Sequence, residues 1–212
     1  MTSNIVTQVK DTLSVVIQAG GKSSRMGEIK MLMPFLGKPL IHRVLQRVET
    51  IAQELIIITN DPDSLAFLNA NLVEDSIPGR GAIGGLYTAM DKASCEYVAV
   101  VACDMPFVNS SILLEGFNLL RKSGADVAIP RLDDGYYEPL HAVYRRKPCK
   151  AAILQSIEQK KLRLISWLSY VNVIEMDPEL CGKLDPDGTA FININTKEDF
   201  LQAEAIGRSV LK

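Results

Sequence analysis

Continuous apolar runs alternate with helical patterns along the first 130 residues. The runs at 13–19, 54–60 and 97–103 are rich in β-branched residues and stop at glycine, asparagine or aspartate, which is typical of buried strands. Between the first two, apolar residues recur at helical spacing from Leu40 to Ile51. Continuous apolar strands separated by helices predict a parallel sheet covered on both faces. The fold class is therefore α/β, a three-layer sandwich with a mostly parallel central sheet.

Apolar runs and helical spacing of apolar residues also predict the remaining strands and helices of the chain. The other predicted elements are an extended piece at 71–75, helices at 82–92 and 110–122, strands at 126–130, 137–144 and 171–176, helices near 150–168, and a terminal helix from about 197. No repeat, low-complexity segment or linker interrupts this order. We therefore expect residues 1–212 to form a single domain, with residues 1–12 as a flexible tail.

The amino-acid composition, the net charge and the cysteine spacing argue against several classes of function. Apolar residues make up 47% of the chain and charged residues 23%, which is ordinary for a soluble globular protein. A net charge of −2 argues against nonspecific binding to nucleic acid or to an anionic membrane. The four cysteines lack C-x-x-C spacing, so they predict free thiols in a reducing compartment, and we expect a cytoplasmic protein.

Candidate chemistry lies in the loop after the first strand. Two glycines at 20 and 21 allow a tight turn and close approach to a ligand. Arg25 offers a planar cationic fork, and Lys30 adds a second cation. Ligands of parallel sheets bind beyond the carboxyl ends of the strands, where Asn60 and Asp104 are also expected. The pattern favours a polyphosphate clamp, and the alternative is a surface turn with solvated charges.

Two further motifs suggest other nucleotide sites. A Walker A loop ending at Lys22-Ser23 would need its first glycine at Val16, inside the first strand. Residues 79–84 match the G-x-G-x-x-G fingerprint of nicotinamide and flavin oxidoreductases, but that motif must follow a buried strand directly. The preceding residues, 74–78, are polar and end at proline. We prefer a flexible loop at a helix start, near the substrate, and keep an oxidoreductase as the alternative.

Residues 15–40 contain a longer signature. The segment reads V-V-I-Q-A-G-G-K-S-S-R-M-G, then Lys30, then P-F-L-G-K-P-L, and it resembles the MobA-like nucleotidyltransferases, in particular the molybdenum cofactor guanylyltransferases. Later blocks fit in order: 79–86, C-D-M-P-F at 103–107, E-P-L at 138–140 and F-I-N-I-N-T at 191–196. The resemblance runs from about residue 13 to residue 203.

The resemblance implies a fold like that of nucleotide-diphospho-sugar transferases, with Mg²⁺ as cofactor. It implies GMP transfer from GTP to molybdenum-molybdopterin with release of pyrophosphate, and contacts with cofactor-handling proteins and apo-molybdoenzymes rather than with nucleic acid or membrane. Its catalytic positions match Arg25, Lys30 and Asp104, and Asp104 is the metal ligand. Its nucleotide-binding positions match Gln18, Ala19, Gly20, Gly21, Lys30, Asn60, Asp75 and Asp104.

Several alternatives stay open. Gln18 stands where the family usually has leucine, so it either points outward and tunes the choice of base or points inward and needs a partner. The second metal ligand is open among Asp185, Asp187 and Asn193. His141 belongs either to the core or near the acceptor pocket. Cytidylyl transfer, another nucleotidyl transfer and a noncatalytic scaffold are the remaining alternative functions.

Overall fold

The computed structural model describes residues 13–20 and 30–210. Its strands are β1 (Leu13–Gln18), β2 (Pro34–Phe35), β3 (Lys38–Pro39), β4 (Glu54–Ile58), β5 (Asn71–Val73), β6 (Tyr97–Ala102), β7 (Val127–Pro130), β8 (His141–Arg145) and β9 (Val173–Met176). Its α-helices are α1 (Leu40–Val48), α2 (Ala82–Lys92), α3 (Ser110–Ser123), α4 (Arg146–Glu158), α5 (Pro178–Leu184) and α6 (Lys197–Val210). Within the described ranges, no helix combines the length and the apolar character that crossing a membrane requires. The predicted tail at 1–12 and the loop residues Gly21 and Arg25 lie outside the described residues.

Seven strands form one central sheet in the order β5-β4-β1-β6-β8-β7-β9. β1 runs parallel to β4 and β6, β4 runs parallel to β5, and β7 runs parallel to β9. β8 is antiparallel to both of its neighbours. The predicted mostly parallel sheet is confirmed, and its parallel half contains the strands that precede the candidate site residues.

Helices cover both faces of the sheet. Val15 and Ile17 of β1 join a core cluster with residues of α1, α3 and α5, whereas Val16 joins a second cluster with residues of α2 and α4. This division follows from the alternation of side chains along a strand. A third cluster contains buried residues of α6 and the residues that pack against that helix: Phe35, Leu40, Phe107, Ile194, Phe200 and Ala203. The two large clusters make the three layers that the apolar runs predict.

Three parts of the prediction were wrong in detail. The helical region near 150–168 contains one helix that ends at Glu158, and Lys160 then takes a left-handed conformation with φ of 60°. β8 begins at His141 rather than at residue 137, because Pro139 cannot donate to a strand ladder. α5 was missed because seven residues carry too little periodicity; Asp177 caps it by accepting from the backbone N–H of Leu180 at 2.8 Å.

His141 belongs to the core. The side chain is fully buried, its ring packs 5.1 Å from the ring of Phe191, and its Nε2 atom lies 3.2 Å from the carbonyl oxygen of Asn109. Burial lowers the pKa of His141 to about 4, although the backbone groups of Asn109 and Ala190 oppose that shift. The placement favours the core alternative over a position beside the acceptor.

We predict that His141 makes the protein sensitive to mild acid. The unfolded chain binds this proton near pH 6.5 and the folded chain only near pH 4, so stability falls as the pH drops through that window. The difference between the pKa values of His141 in the unfolded and folded chain corresponds to as much as about 3 kcal/mol in the free energy of unfolding. Urea unfolding at pH 7 and pH 4.5 should show a smaller pH effect in His141→Gln than in the wild type. His42→Gln is the matched control, and equal pH effects in all three proteins would contradict the prediction.

Candidate functional site

The site lies at the carboxyl ends of β4, β1 and β6. The hydrogen-bonded ladder continues past β1, because the N–H of Ala19 donates to Ile58 at 2.8 Å and the N–H of Cys103 donates to the carbonyl of Gln18 at 3.0 Å. These bonds fix where the chain leaves each strand. They bring the segment after β1 and the residue after Cys103, Asp104, to the same edge of the sheet.

Lys30 and Asp104 form an ion pair at this edge. The Nζ atom of Lys30 lies 2.8 Å from Oδ2 of Asp104 and 3.5 Å from Oδ1 of Asn195. The side chains of Lys30 and Asp104 are 12% and 24% exposed, so the pair is partly shielded from water and still accessible to a ligand. A charge-assisted contact of this length holds both groups in a defined place. Two predicted site residues that lie 74 positions apart in the chain are thus brought together.

Asn195 was missed as an individual site residue. The N–H of Ile194 donates to the carbonyl of Asp104 at 2.9 Å, and the Ile194 side chain is buried in the third cluster. The N–H groups of Asn195 and Thr196 both donate to Oδ2 of Asp199 at 2.8 Å, at the start of α6. The available signal was the alternation in I-N-I-N, where a buried isoleucine places its asparagine neighbours away from the core.

Glu138 adds a second carboxylate to this region. Burial raises its pKa, and the negative charge of Asp104 raises it further, while hydrogen bonds from the N–H of Leu140 and the amide of Asn193 act in the opposite direction. The charge of Asp104 makes the smallest of these contributions, and a cation bound nearby would lower the pKa of Glu138.

The oxygen atoms at this edge suit Mg²⁺. Mg²⁺ prefers hard oxygen ligands and takes few of them from protein, so one carboxylate with amide oxygens nearby is sufficient. Asp104 provides the carboxylate, Asn195 places an amide oxygen 3.5 Å from Nζ of Lys30, and Asn193 lies two residues before Asn195 in the chain. In ranges 13–20 and 30–210 there is no cluster of three or more His, Cys, Asp or Glu side chains with metal-binding geometry.

The other two metal-ligand candidates lie in a turn. Asp185 is 8% exposed, and its Oδ2 atom accepts a hydrogen bond from the N–H of Ala190 at 2.7 Å. The Asp185 carbonyl also accepts from the N–H of Gly188 at 3.0 Å. Asp185 is therefore occupied in holding this turn together. Asp187 is exposed, and no contact in the described part of the chain joins it to Lys30 or Asp104.

Gly20 and Asn60 are neighbours at the carboxyl edge where Lys30 and Asp104 lie. A Cβ atom on Gly20 would lie 3.8 Å from the side-chain nitrogen of Asn60. Both residues are exposed, immediately after β1 and β4. The backbone of Gly20 and the amide of Asn60 can therefore contact the same ligand.

Asp75 is held in place by α2. Its Oδ1 atom accepts from the Thr88 hydroxyl at 2.6 Å and from the N–H of Ile77 at 3.1 Å. The Thr88 oxygen also accepts from the N–H of Ser76 at 2.9 Å. Thr88 is fully buried, so one hydroxyl fixes two successive residues of the loop. Oδ2 of Asp75 has no donor in the described part of the chain.

Gln18 points inward. The residue is 7% exposed, and its side chain lies against Gly85 of α2, on the face of β1 that Val16 shares. Its Nε2 atom is buried and has no hydrogen-bond partner in the described part of the chain. The inward alternative therefore applies, and the amide lacks the partner that burial demands.

Comparison with known proteins decides between the candidate families. Residues 15–171 match the MobA-like NTP transferase domain. The chain belongs to this family. It is 34% identical over 197 residues to a probable molybdenum cofactor guanylyltransferase of Natranaerobius thermophilus, covering 91% of this chain and 95% of that protein. It is 31% identical to a molybdenum cofactor guanylyltransferase of Desulfosudis oleivorans, covering 92% and 96%.

A solved member of the family has the same fold. Molybdopterin-guanine dinucleotide biosynthesis protein A from Archaeoglobus fulgidus superposes with a TM-score of 0.81 at 28% identity, covering 93% of this chain and 100% of that one. The MobA-like chain described here is therefore a nucleotidyltransferase, as the resemblance implied. The oxidoreductase alternative is not favoured. Consistent with this, the Gly79–Gly84 loop follows a turn after the short strand β5 and does not leave a buried strand directly.

We predict that Thr88 positions Asp75 for nucleotide binding. Thr88→Val keeps the shape but removes the hydroxyl that donates to Asp75 and leaves the Ser76 N–H unpaired, a cost of about 1–3 kcal/mol. Calorimetry should show GTP binding about tenfold weaker, with kcat nearly unchanged at saturation. Thr88→Ser should restore affinity because it keeps the hydroxyl. A Thr88→Val protein that loses thermal stability but binds GTP as tightly as the wild type would refute a positioning role.

Proposed function

We propose that this chain transfers GMP from GTP to molybdenum-molybdopterin, giving the guanine dinucleotide form of the cofactor and pyrophosphate. The observation that carries the proposal is the Lys30–Asp104 pair beside Asn195, at the carboxyl edge of the parallel strands. The names of the relatives support this substrate pair, because the match to them extends over about nine-tenths of the chain.

The reaction requires positioning and charge more than covalent help from protein. The terminal phosphate of the pterin attacks the α-phosphorus of GTP, the new P–O bond forms, and the bond to pyrophosphate breaks. Because this nucleophile is already anionic, no general base is needed. Lys30 places a positive charge where the triphosphate lies, and we assign the same task to Arg25. Cations over the transferring group stabilise the developing negative charge.

We assign the metal site to Asp104, with amide oxygens of Asn193 and Asn195 as the neighbouring ligands. When bound, Mg²⁺ supplies positive charge over the phosphate oxygens. The chain itself holds the Asp104 carboxylate through Lys30 at 2.8 Å and its backbone through Ile194 at 2.9 Å. Both contacts fix the carboxylate before a ligand arrives, which reduces the reorganisation that binding requires.

The nucleoside is assigned to the neighbouring part of the edge. We assign the backbone groups of Ala19, Gly20 and Gly21 to the nucleoside, together with the exposed amide of Asn60 and the Oδ2 oxygen of Asp75. This arrangement separates an amide-rich nucleoside side from the Lys30–Asp104 phosphate side. We further propose that the protein works in the cytoplasm and exchanges its pterin substrate and product with cofactor-handling proteins and apo-molybdoenzymes.

The choice of nucleotide is directly testable. Pyrophosphate release should be measured with GTP and with CTP, each with and without molybdopterin carrying molybdenum. We expect release that needs both GTP and the acceptor, because guanylyl transfer consumes one of each. Faster release with CTP would instead support cytidylyl transfer, and no release with either nucleotide would support a noncatalytic role.

We predict that Asp104→Ala lowers the Mg²⁺-dependent kcat by at least 100-fold, the scale for losing one group that stabilises transition-state charge. Its melting temperature should stay near that of the wild type, because Asp104 is partly exposed and its backbone bond to Ile194 is retained. Asp187→Ala is the matched control, since this carboxylate is exposed in the 185–190 turn. Wild-type rates in Asp104→Ala would rule out the metal assignment.

A further inference from the structure

A polar cavity lies at the edge of the central sheet opposite to Lys30 and Asp104. Its volume is about 440 Å³, and it is lined by Ser94, Glu96, Arg145, Arg146, Lys147 and Pro148. Arg145, the last residue of β8, pairs with Tyr97, the first residue of β6. Asp104 follows the other end of β6, so at about 3.3 Å per residue the cavity and Asp104 are roughly 20 Å apart. The cavity is therefore separate from the candidate catalytic edge.

The charge of Arg145 is balanced within the protein. Its Nη1 atom donates to the carbonyl oxygen of Gly124 at 3.1 Å and lies 3.3 Å from Oδ1 of Asp126. Its Nε atom lies 3.8 Å from Oε1 of Glu96. Arg145 thus forms a fixed wall of the cavity and leaves the binding of an outside anion to its two neighbours in the chain.

Arg146 and Lys147 have no carboxylate partner in the described ranges. Nε of Arg146 donates to the carbonyl oxygen of Cys95 at 3.0 Å, and the backbone N–H of Arg146 donates to the carbonyl oxygen of Glu96 at 2.8 Å. These contacts hold the guanidinium in place, while its two terminal nitrogens contact no acceptor in residues 13–20 and 30–210. Lys147 is exposed, and its Nζ atom likewise forms no hydrogen bond or ion pair there. A fixed guanidinium and an ammonium thus remain available at one wall.

The unmatched charge indicates an anion with more than one negative charge. Arg146 and Lys147 contribute two positive charges, which a phosphate group balances and a single carboxylate does not. A guanidinium binds two phosphate oxygens at once, and an adjacent ammonium can contact a third. Ser94 adds a hydroxyl, although its N–H is taken by the Glu54 carboxylate at 2.8 Å. The cavity volume falls within the roughly 300–1,000 Å³ of small-molecule sites, so it suits a small organic or inorganic phosphate compound.

We propose that this cavity is an anion site, distinct from the catalytic edge, that binds a phosphate-bearing small molecule through Arg146 and Lys147. The chemistry it recognises is a diphosphate or triphosphate chain, which both free pyrophosphate and a nucleoside triphosphate provide. The inference goes beyond the proposed function and does not depend on which nucleotide the catalytic edge uses.

The experiment follows single backbone amides of the full-length, ¹⁵N-labelled protein by NMR. Pyrophosphate, GTP and guanosine are each titrated without Mg²⁺ and compared with sodium chloride of equal ionic strength. We expect the N–H signals of Glu96 and Lys147 to shift saturably with a phosphate compound and to stay in place with guanosine and with chloride. The compound that acts at the lower concentration identifies the source of the phosphate chain. The signal of Gly20 reports separately on the catalytic edge.

Two variants test the assigned side chains. Arg146→Gln removes the guanidinium and should weaken binding in the cavity at least about tenfold, and Lys147→Gln should weaken it about threefold. Arg163→Gln, at an exposed arginine beyond the end of α4, removes the same charge elsewhere and is the matched control, with a change of less than about twofold. Because the Lys147 side chain makes no contact within the described residues, Lys147→Gln should leave Tm within about 1 °C of the wild type.

Three outcomes would overturn the inference. The first is the lack of a saturable shift at Glu96 and Lys147 up to about 10 mM pyrophosphate or GTP, since even a millimolar site would be mostly filled at that level. The second is an equal shift with sodium chloride or an equal loss of affinity in Arg163→Gln, which would indicate a general effect of charge. The third is a shift at Gly20 without one in the cavity, which would confine anion binding to the catalytic edge.

Discussion

The parallel register of β4, β1 and β6 is the constraint on which the rest of the site depends. Gln18 lies opposite Ile58 on one side and Ala102 on the other, so the three strands end at the same level. β1 is fixed from both sides, and a slip of one residue would turn its side chains to the opposite faces. Gln18 would then lose Gly85, and Asp104 would lie at a different height from Lys30. The placement of polar groups at the edge thus follows from apolar pairing inside the sheet.

Much of this arrangement follows from the sequence because its causes are local. The runs at 13–19, 54–60 and 97–103 are continuous and apolar, so their burial as strands and the position of Asp104 at a strand end could be predicted. The three strands differ from their predicted bounds by one or two residues. The end of a strand depends on its last backbone hydrogen bonds to the neighbouring strands, and residue types alone do not specify these bonds.

The remaining features depend on distant contacts. Asn195 reaches Lys30 because Ile194 bonds to the backbone of Asp104 and is buried under α6, and neither contact has a periodic signature. The direction of the Gln18 side chain depends on which face of β1 meets α2. α5 is too short for a helical pattern to stand out. Sequence therefore predicts the strands and their ends better than it predicts which side chains meet in space.

With the proposed metal and nucleotide, the electrostatics of the edge would favour joint binding of the two. Burial raises the pKa of Glu138 and the negative charge of Asp104 adds to that shift, although Lys30 partly neutralises Asp104. A triphosphate alone would bring more negative charge to the same place. A divalent cation alone would keep most of its water, since protein supplies few ligands. The two together balance each other's charge, and the ion's own charge is then the largest in the site.

The bond between Ile194 and Asp104 also has a consequence for how the protein is made. Asp104 leaves the ribosome about 90 residues before its backbone partner does, and at 5–20 residues per second that interval is about 5–20 s. During that time the segment with both asparagines is missing from the edge at which Asp104 lies. The edge around Lys30 and Asp104 is therefore completed late in synthesis.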